Sequence, residues 1–333
     1  MQLSYSFIIP VYNRPDEIKE LLDSFVSQDT TLPYEIVIIE DGSSLPSDSV
    51  IAAYTDTLNI TYLPKSNSGP GPSRNYGMAR AAGNYFIILD SDCILPPHYV
   101  RVMDEALRMD YVDCFGGPDA AHPSFSALQK AINYSMTSFL TTGGIRGGKK
   151  QVNTFQPRSF NMGLSKKAFE ASEGFGKIHP GEDPDLVLRL WDKGFKTRLL
   201  ADAYVYHKRR ISWSKFYKQV HKFGMVRPIL NNWHPSSAKV TYWFPTVFLA
   251  GILFSMLMAI FGWLFFIYVV IGYFVLIGVH AMVVTKSIPI GIMAIAATIV
   301  QFYGYGTGFL KSTIAVQWLG KEPQQKFPHL FFK

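Results

Sequence analysis

The first half of the chain alternates short apolar runs with segments whose apolar residues recur at helical spacing. Residues 5–11 form a β-rich run. Across residues 16–28, Ile18, Leu21, Leu22 and Phe25 share one helical face, and Asp16 is placed to cap it. Residues 35–39, 60–63 and 85–89 are further strand-like runs. Between the last two, Gly69-Pro-Gly-Pro-Ser73 breaks the chain, and residues 74–82 read as a helix. Runs that are apolar on both faces and alternate with helices predict an α/β fold, a mostly parallel sheet flanked by helices.

The pattern changes after Lys239. Residues 240–284 carry no Asp, Glu, Lys or Arg. A membrane crossing takes about 20 residues, so this run is long enough for two helices joined near Phe261-Gly262-Trp263. A third apolar stretch covers residues 288–310. Lys239 and Lys286 flank the first pair, which puts both on the cytoplasmic side of a hairpin. If the third stretch crosses, Lys311, Lys321, Lys326 and Lys333 fall on the opposite side; a re-entrant or interfacial course is the alternative. The expected organisation is a catalytic domain at 1–206, a juxtamembrane segment at 207–239, membrane helices at 240–310 and a basic tail at 311–333.

Charge sharpens this division. Of the 25 carboxylates, only Glu322 falls after Asp202, while Lys and Arg continue to the end of the sequence. The net charge of +7 therefore belongs to residues that border apolar runs, and it points to an anionic membrane surface, with no nucleic-acid partner expected. His207-Lys-Arg-Arg210 leads into a basic, aromatic stretch with Trp213, Lys215, Phe216, Tyr217, Lys218, Lys222 and Arg227. Such a segment either docks in the headgroup region or holds a phosphorylated lipid acceptor, with Lys218 as a candidate contact. Cys93 and Cys114 lack any metal-ligand spacing and read as buried thiols in a reducing compartment. The first apolar run is too short for a secretory signal, so the first domain is expected in the cytoplasm, at the inner membrane.

In parallel sheets, ligands bind beyond the carboxyl ends of the strands. Three such ends carry polar residues: Tyr12-Asn13-Arg14, Asp41-Gly42 and Asp90-Ser91-Asp92. Carboxylates one residue apart at a strand end suit Mg²⁺ or Mn²⁺ bound together with a diphosphate, whose departing charge the cation neutralises. Gly181-Glu182-Asp183-Pro-Asp185 opens a helix. Glu182 or Asp183 is placed to act as a general base toward a hydroxyl, and Asp185 suits the helix N-terminus. One base with in-line displacement predicts inversion at the anomeric carbon. Residues 143–150, rich in Gly, offer Arg146, Lys149 and Lys150 to phosphates, or else form a plain solvated loop.

The joint pattern resembles the family 2 glycosyltransferases of GT-A fold. It is carried by Phe7-Ile-Ile-Pro-Val-Tyr-Asn13, Glu40-Asp-Gly-Ser-Ser44, Gly71-Pro-Ser-Arg-Asn75 and Leu89-Asp-Ser-Asp92. Asn161-Met-Gly163, Gly174-Phe175, Gly181-Glu-Asp183 and Val205-Tyr-His207 come after them in the same order, over roughly residues 4 to 210. The resemblance implies a nucleotide-sugar donor, with UDP favoured over GDP, bound by Pro10, Tyr12, Asp41, Arg74, Asp90 and Ser91. It implies Mn²⁺ or Mg²⁺ on Asp92, with His207 as a metal or diphosphate contact or a plain strand-end residue. It makes Asp183 the base, places Glu182 along the sugar or acceptor pocket, and adds Asn161 with Arg146, Lys149 and Lys218 as acceptor contacts.

Two departures matter. Glu40 stands where many relatives have Asp, and the Gln/Arg-x-x-Arg-Trp signature of processive synthases is absent, Lys218 to Lys222 occupying roughly that place. The expectation is transfer of one sugar to a membrane-associated, polyprenyl-linked glycan. A polyprenyl-phosphate sugar synthase and a nucleotidyltransferase are the alternatives.

Overall fold

The computed structural model describes residues 2–120, 125–143, 155–207 and 212–332. It divides into two compact units. The first contains residues up to 120, 155–207 and 331–332; the second contains 125–143 and 212–330. The long stretch of the first unit ends at His207, residues 125–143 join the second unit and residues 331–332 join the first.

In chain order the elements begin β1 (Tyr5–Val11), α1 (Pro15–Val26), β2 (Tyr34–Asp41), α2 (Asp48–Ala52), β3 (Ile60–Lys65), α3 (Pro70–Met78) and β4 (Tyr85–Leu89). Then come β5 (Cys93–Ile94), α4 (Tyr99–Met109), β6 (Cys114–Gly116) and β7 (Asp119–Ala120). Helices α5 (Ala127–Thr137) and α6 (Phe139–Thr142) belong to the second unit. The first unit resumes with β8 (Asn161–Ser165), α7 (Lys166–Ser172), α8 (Glu182–Asp192), β9 (Thr197–Leu199) and β10 (Val205–His207).

The main sheet has the order β3-β2-β1-β4-β8-β6-β9. Strands β3, β2, β1 and β4 run parallel, as expected, and β8 is antiparallel to both β4 and β6. The alternation of side chains along each strand feeds two cores. Phe7, Ile9, Ile36 and Ile38 pack with Leu21 and Phe25 of α1 and with Tyr99 and Met103 of α4. Ile8, Val37, Ile39, Phe86 and Ile88 pack with Met78 of α3 and with Leu186, Val187 and Leu190 of α8. This two-sided burial is why the strands carry almost no polar residue until their carboxyl ends.

Two helix starts differ from the sequence expectation, for one physical reason. Helix α1 begins at Pro15 rather than at a cap on Asp16, and α3 begins at Pro70 rather than Arg74. Proline lacks the N–H that the first helical turn leaves unpaired and is preset to helical φ, so it opens a helix as readily as it breaks one. Arg74 consequently lies within α3, one turn from its start.

The second unit is built around α12 (Ile288–Ser312), which continues through a wide π turn to Trp318. It packs against α5, α9 (Trp213–Trp233), α10 (Phe244–Ile260) and α11 (Phe265–Thr285). The turn between α10 and α11 falls at Gly262, whose φ is +84°, where the sequence placed it. Gly224 of α9 and Gly308 of α12 bring two backbones together: a Cβ on them would lie 2.2 Å from Tyr305 O and 2.4 Å from His221 O. Small residues allow such approach between apolar helices. Helix α5 is tied in by Tyr134 Oη to His280 Nδ1 at 2.7 Å and by Ser135 Oγ donating to Gln301 Oε1 at 2.8 Å. Among the described residues, three helices are long and apolar enough to cross a membrane: Val240–Ile260, Phe265–Thr285 and Ile288–Trp318. A short α13 (Pro323–Lys326) lies beyond them.

Beneath the acidic edge of the sheet, Gly163 of β8 pairs with Phe115 of β6, and a Cβ on Gly163 would lie 2.0 Å from the Phe115 ring. That ring stacks on Tyr85 with centroids 6.1 Å apart, so it has little freedom to yield. Gly163→Ala should cost about 1–3 kcal/mol by overpacking and lower the apparent Tm of the detergent-solubilised protein. An unchanged melting curve would show that Phe115 moves aside freely.

Candidate active site

The carboxyl ends of β1, β2 and β4 lie side by side in the sheet, and the residues just past each strand build the site. Asp41, the last residue of β2, is 4% exposed. Its Oδ1 accepts hydrogen bonds from Lys65 Nζ at 2.5 Å and Ser68 N–H at 2.9 Å, and its Oδ2 from Gly69 N–H at 2.9 Å. A carboxylate offers about four lone-pair sites, so one direction on Oδ2 remains for a further donor. The loop before α3 is thus fixed by the acid at the end of β2.

The neighbouring Glu40 explains the departure at that position. It is buried; its Oε2 accepts from Ser47 N–H at 2.8 Å and Tyr62 Oη at 3.1 Å, and its Oε1 accepts from Ser43 Oγ. Ser43 Oγ in turn accepts from Asn13 N–H at 2.7 Å, and Asn13 Oδ1 accepts from Leu45 N–H at 2.9 Å. The longer Glu side chain therefore anchors the loop that holds Asn13 in its left-handed conformation, beside the exposed ring of Tyr12. Pro10 lies just upstream, half-buried in β1.

From α3, Arg74 reaches a fully buried position between two acids: Nη2 to Asp90 Oδ1 at 2.7 Å and Nη1 to Glu182 Oε1 at 3.0 Å. Its guanidinium also lies over the Phe175 ring, 5.2 Å from the centroid. Burial alone would weaken the charged form, and the fields of Asp90 and Glu182 outweigh it, raising the Arg74 pKa. Asp92 lies on the other side of Asp90, past the buried Ser91. Its Oδ2 accepts from Arg14 Nη1 at 2.6 Å, and its Oδ1 stands 3.2 Å from His207 Nε2. His207 Nε2 is 4.0 Å from Asp90 Oδ2, and its ring stacks on Phe160. Glu182, Arg74, Asp90, His207, Asp92 and Arg14 form one continuous row of alternating acidic and basic groups.

Glu182 is corrected from the sequence expectation. It is 4% exposed and does not line an open pocket: Oε1 takes Arg74 and also His179 Nδ1 at 3.0 Å. Burial pushes its pKa up, but His179 and Arg74 outweigh that and hold it down at about 2. A carboxylate so stabilised is a poor base. Asp183, one residue on, faces a different environment, with Oδ2 3.6 Å from Arg158 Nη1. Asn161 is also corrected. It is fully buried, with Oδ1 accepting from Tyr99 Oη at 2.6 Å and Nδ2 donating to Ala203 O at 2.8 Å. Each end of its amide makes a bond inside the fold, and its complete burial closes the side chain to an acceptor. Arg146 and Lys149 lie outside the described residues, and Lys218 lies on α9 of the second unit.

The residues fit a hard divalent cation. Asp92 and His207 present an oxygen and a nitrogen to one point, with a Cys93 sulfur within 4.8 Å. Burial pushes the Cys93 thiol well up, and its Sγ donates toward Phe160 O at 3.4 Å, so it does not compete as a thiolate. Carboxylate and imidazole with open positions suit Mn²⁺ or Mg²⁺ sharing a diphosphate.

The sheet order and the acidic row beyond its carboxyl edge define a GT-A domain. The family model described as Glycosyl transferase family 2 matches residues 6–171, and by this domain the chain belongs to that family. Chondroitin synthase of Escherichia coli is 26% identical over 235 residues, 61% of this chain and 34% of the synthase. The chain spans about a third of the length of the first curated relatives it matches. Among solved structures, a mannosyltransferase of Pyrobaculum calidifontis, in complex with GDP-Man and Mn²⁺, superposes with a TM-score of 0.57. It is 14% identical and the match covers 97% of this chain and 89% of that one. Residues 1–349 of TarS from S. aureus, in complex with UDP-GlcNAc, give a TM-score of 0.50 at 16% identity, covering 96% and 93%. At these identities the likeness is one of fold.

Three residues of the site, Arg158, His179 and Lys65, were not singled out from the sequence, and Arg14 was placed at a strand end without a role. Lys65 and Arg14 had a usable signal, since both stand at or just past the carboxyl end of a parallel strand. His179 stands three residues before Glu182, but nothing in the pattern marks it as that residue's partner.

Removing the Glu182 charge leaves Arg74 buried with Asp90 alone. Glu182→Gln should destabilise the catalytic domain by about 3–5 kcal/mol, the cost of breaking a buried pair. Because the folded pKa of about 2 lies below the ordinary 4.5, the wild-type increment is fully present above about pH 4.5 and is lost as pH falls toward 2. The variant should therefore show a flatter stability profile across that window. Equal acid sensitivity of the two proteins, by denaturation followed at stepped pH, would rule the pair out as a source of stability.

Proposed function

We propose that this chain is an inverting, metal-dependent glycosyltransferase that moves one sugar from a nucleotide-sugar to a membrane-associated acceptor. The observation that carries this reading is the row from Glu182 to Arg14, an alternating set of acids and bases along the carboxyl edge of the sheet, with Asp41 at one side and Asp183 at the other.

In this reading Tyr12 stacks on the base, Pro10 shapes the floor beneath it, and the remaining lone pair of Asp41 accepts the base N–H. A uracil N3–H suits a single acceptor, which is the ground for preferring UDP; the solved neighbours carry UDP-GlcNAc in one case and GDP-Man in the other. Asp90 and Ser91 hold the ribose, and Arg74 keeps Asp90 oriented. Asp92 and His207 hold the divalent cation, which when bound offsets the charge of the departing diphosphate. Asp183 takes the proton of the acceptor hydroxyl as the acceptor oxygen bonds to the anomeric carbon. The bond from that carbon to the diphosphate oxygen breaks, and the nucleoside diphosphate leaves with the electron pair. A single displacement inverts the anomeric centre.

The three apolar helices and the exposed Lys215 and Lys218 on α9 support a lipid-linked acceptor, such as a polyprenyl-linked glycan. Lys239 and Lys286 favour a catalytic domain on the cytoplasmic side of the inner membrane.

The test is a panel of nucleotide-sugars assayed in membranes with Mn²⁺ or Mg²⁺, monitoring nucleoside diphosphate release. A UDP-sugar should turn over, and chelation should abolish turnover until metal is restored. Release of inorganic diphosphate from a nucleoside triphosphate would instead make the chain a nucleotidyltransferase. Turnover on bare polyprenyl phosphate, with glycan-linked lipid inert, would move it to polyprenyl-phosphate sugar synthesis.

Asp183→Asn should lower kcat by about 10²–10⁴, the usual worth of a general base, while leaving nucleotide binding within twofold or so. Undiminished turnover in that variant would remove Asp183 from the mechanism.

A further inference from the structure

Helices α3 and α8, which pack into one core and are joined by the Arg74–Glu182 ion pair, each begin at a short arm of chain. Gly69 precedes α3, and His179 lies just before α8. Inside the protein the arms are joined by the Arg74–Glu182 ion pair and by Asn75, which donates to Phe175 O at 2.9 Å and accepts from Phe175 N–H at 2.8 Å. A second link comes from residues 331–332, separated in sequence from the rest of the domain by all the apolar helices. Phe331 forms an antiparallel bridge with Ile178, and Phe332 N–H donates to Lys177 O at 3.0 Å. These backbone contacts fasten the segment to residues 177–178.

The Phe332 ring does something further. It lies against His179, with centroids 5.7 Å apart, and directly on the Cα of Gly69, where a Cβ would be 2.2 Å from Cδ2 of the ring. Gly69 has φ +90° and gives its N–H to Asp41; His179 gives its ring to Glu182. One aromatic side chain therefore touches both arms, one leading to the acid at the end of β2 and the other to the acid that holds Arg74.

We propose that Phe332 is a positioning residue of the donor site, its ring fixing the Gly69 and His179 arms at the separation that the donor requires. This rests on the reading of the crevice as a nucleotide-sugar site. The ring acts through Gly69 and His179. With the ring gone, the Gly69 N–H loses its backing and Asp41 loses a partner that holds its orientation. Donor binding weakens as a result, while the acceptor base Asp183 keeps its own partner, Arg158.

The test uses the full chain in detergent, with UDP and Mn²⁺ as the binding probe and hydrogen exchange of the peptide spanning Gly69 as a second readout. Phe332→Ala should weaken UDP binding and raise donor KM about tenfold, with kcat within about twofold, a loss of the order of one packed contact. The Gly69 amide should exchange faster, and Phe332→Leu and Phe332→Tyr, which keep bulk against the glycine, should restore both readouts. Asp41→Asn serves as the control for the nucleotide reading. If the wild type binds UDP and Asp41→Asn does not, yet Phe332→Ala binds as the wild type does, the positioning role is overturned and the site assignment stands. If the wild type binds neither UDP nor GDP, the donor reading fails and the role of Phe332 fails with it. Should Phe332→Ala not fold, a Phe332→Leu protein with tenfold weaker binding and an unprotected Gly69 amide would also overturn the proposal, because bulk alone is argued to suffice.

Discussion

A guanidinium with no access to water must be balanced where it stands, and Arg74 is such a group. Its two acids come from distant parts of the sequence, Asp90 from the end of β4 and Glu182 from the start of α8. Burying this charge unpaired would cost several kcal/mol, so any arrangement that parts α3 from β4 or α8 is strongly disfavoured. The ion pairs thereby set where the start of α8 lies against the sheet. That in turn puts Asp183 one residue from a fixed point and His179 within reach of the same acid.

The first four strands and their order of appearance were legible because their burial is two-sided. An apolar run of five to seven residues ending in Asp has few other solutions when helices alternate with it. What the pattern could not convey is direction and partner. Strand β8 is antiparallel to its neighbours, and its sequence, Asn161 to Ser165, holds only two large apolar residues and was not read as a strand at all. The prolines misled in a specific way: Pro15 and Pro70 are punctuation in a sequence and first-turn residues in a helix. Residues 125–143 were not read as an element, although Ser126 and Gln129 form a capping box at the start of α5; the apolar partners of that helix, Phe216, Val220 and Ala297, lie far along the chain.

The candidate site was legible to a similar depth. Residues that sit at strand ends were found, since topology alone sends those ends to one edge. Their burial and pairing were not. Glu182 and Asp183 are adjacent and both acidic, so the sequence treats them as alternatives. The fold separates them by turning one toward Arg74 and His179 and the other toward Arg158. Asn161 shows the converse: a polar residue in a recognisable motif that lies fully buried and is bonded to Tyr99 and Ala203. A buried amide that satisfies backbone and hydroxyl groups leaves the same mark in a sequence as one that binds a ligand.

The balance of charge in the crevice bears on what it can hold. Five carboxylates, Asp41, Asp90, Asp92, Glu182 and Asp183, stand with four permanently cationic partners, Lys65, Arg74, Arg14 and Arg158. Taken together, these nine groups are close to neutral and slightly negative. A diphosphate approaching it gains no net attraction from the protein alone. Adding one divalent cation beside Asp92 and His207 reverses the sign of the set. The anion is then drawn to the point where its charge will grow when the sugar leaves. The fixed cations serve a different end: each holds one acid in place, so the charge that a metal adds is met by a rigid set of dipoles and carboxylates rather than by groups that must first reorganise.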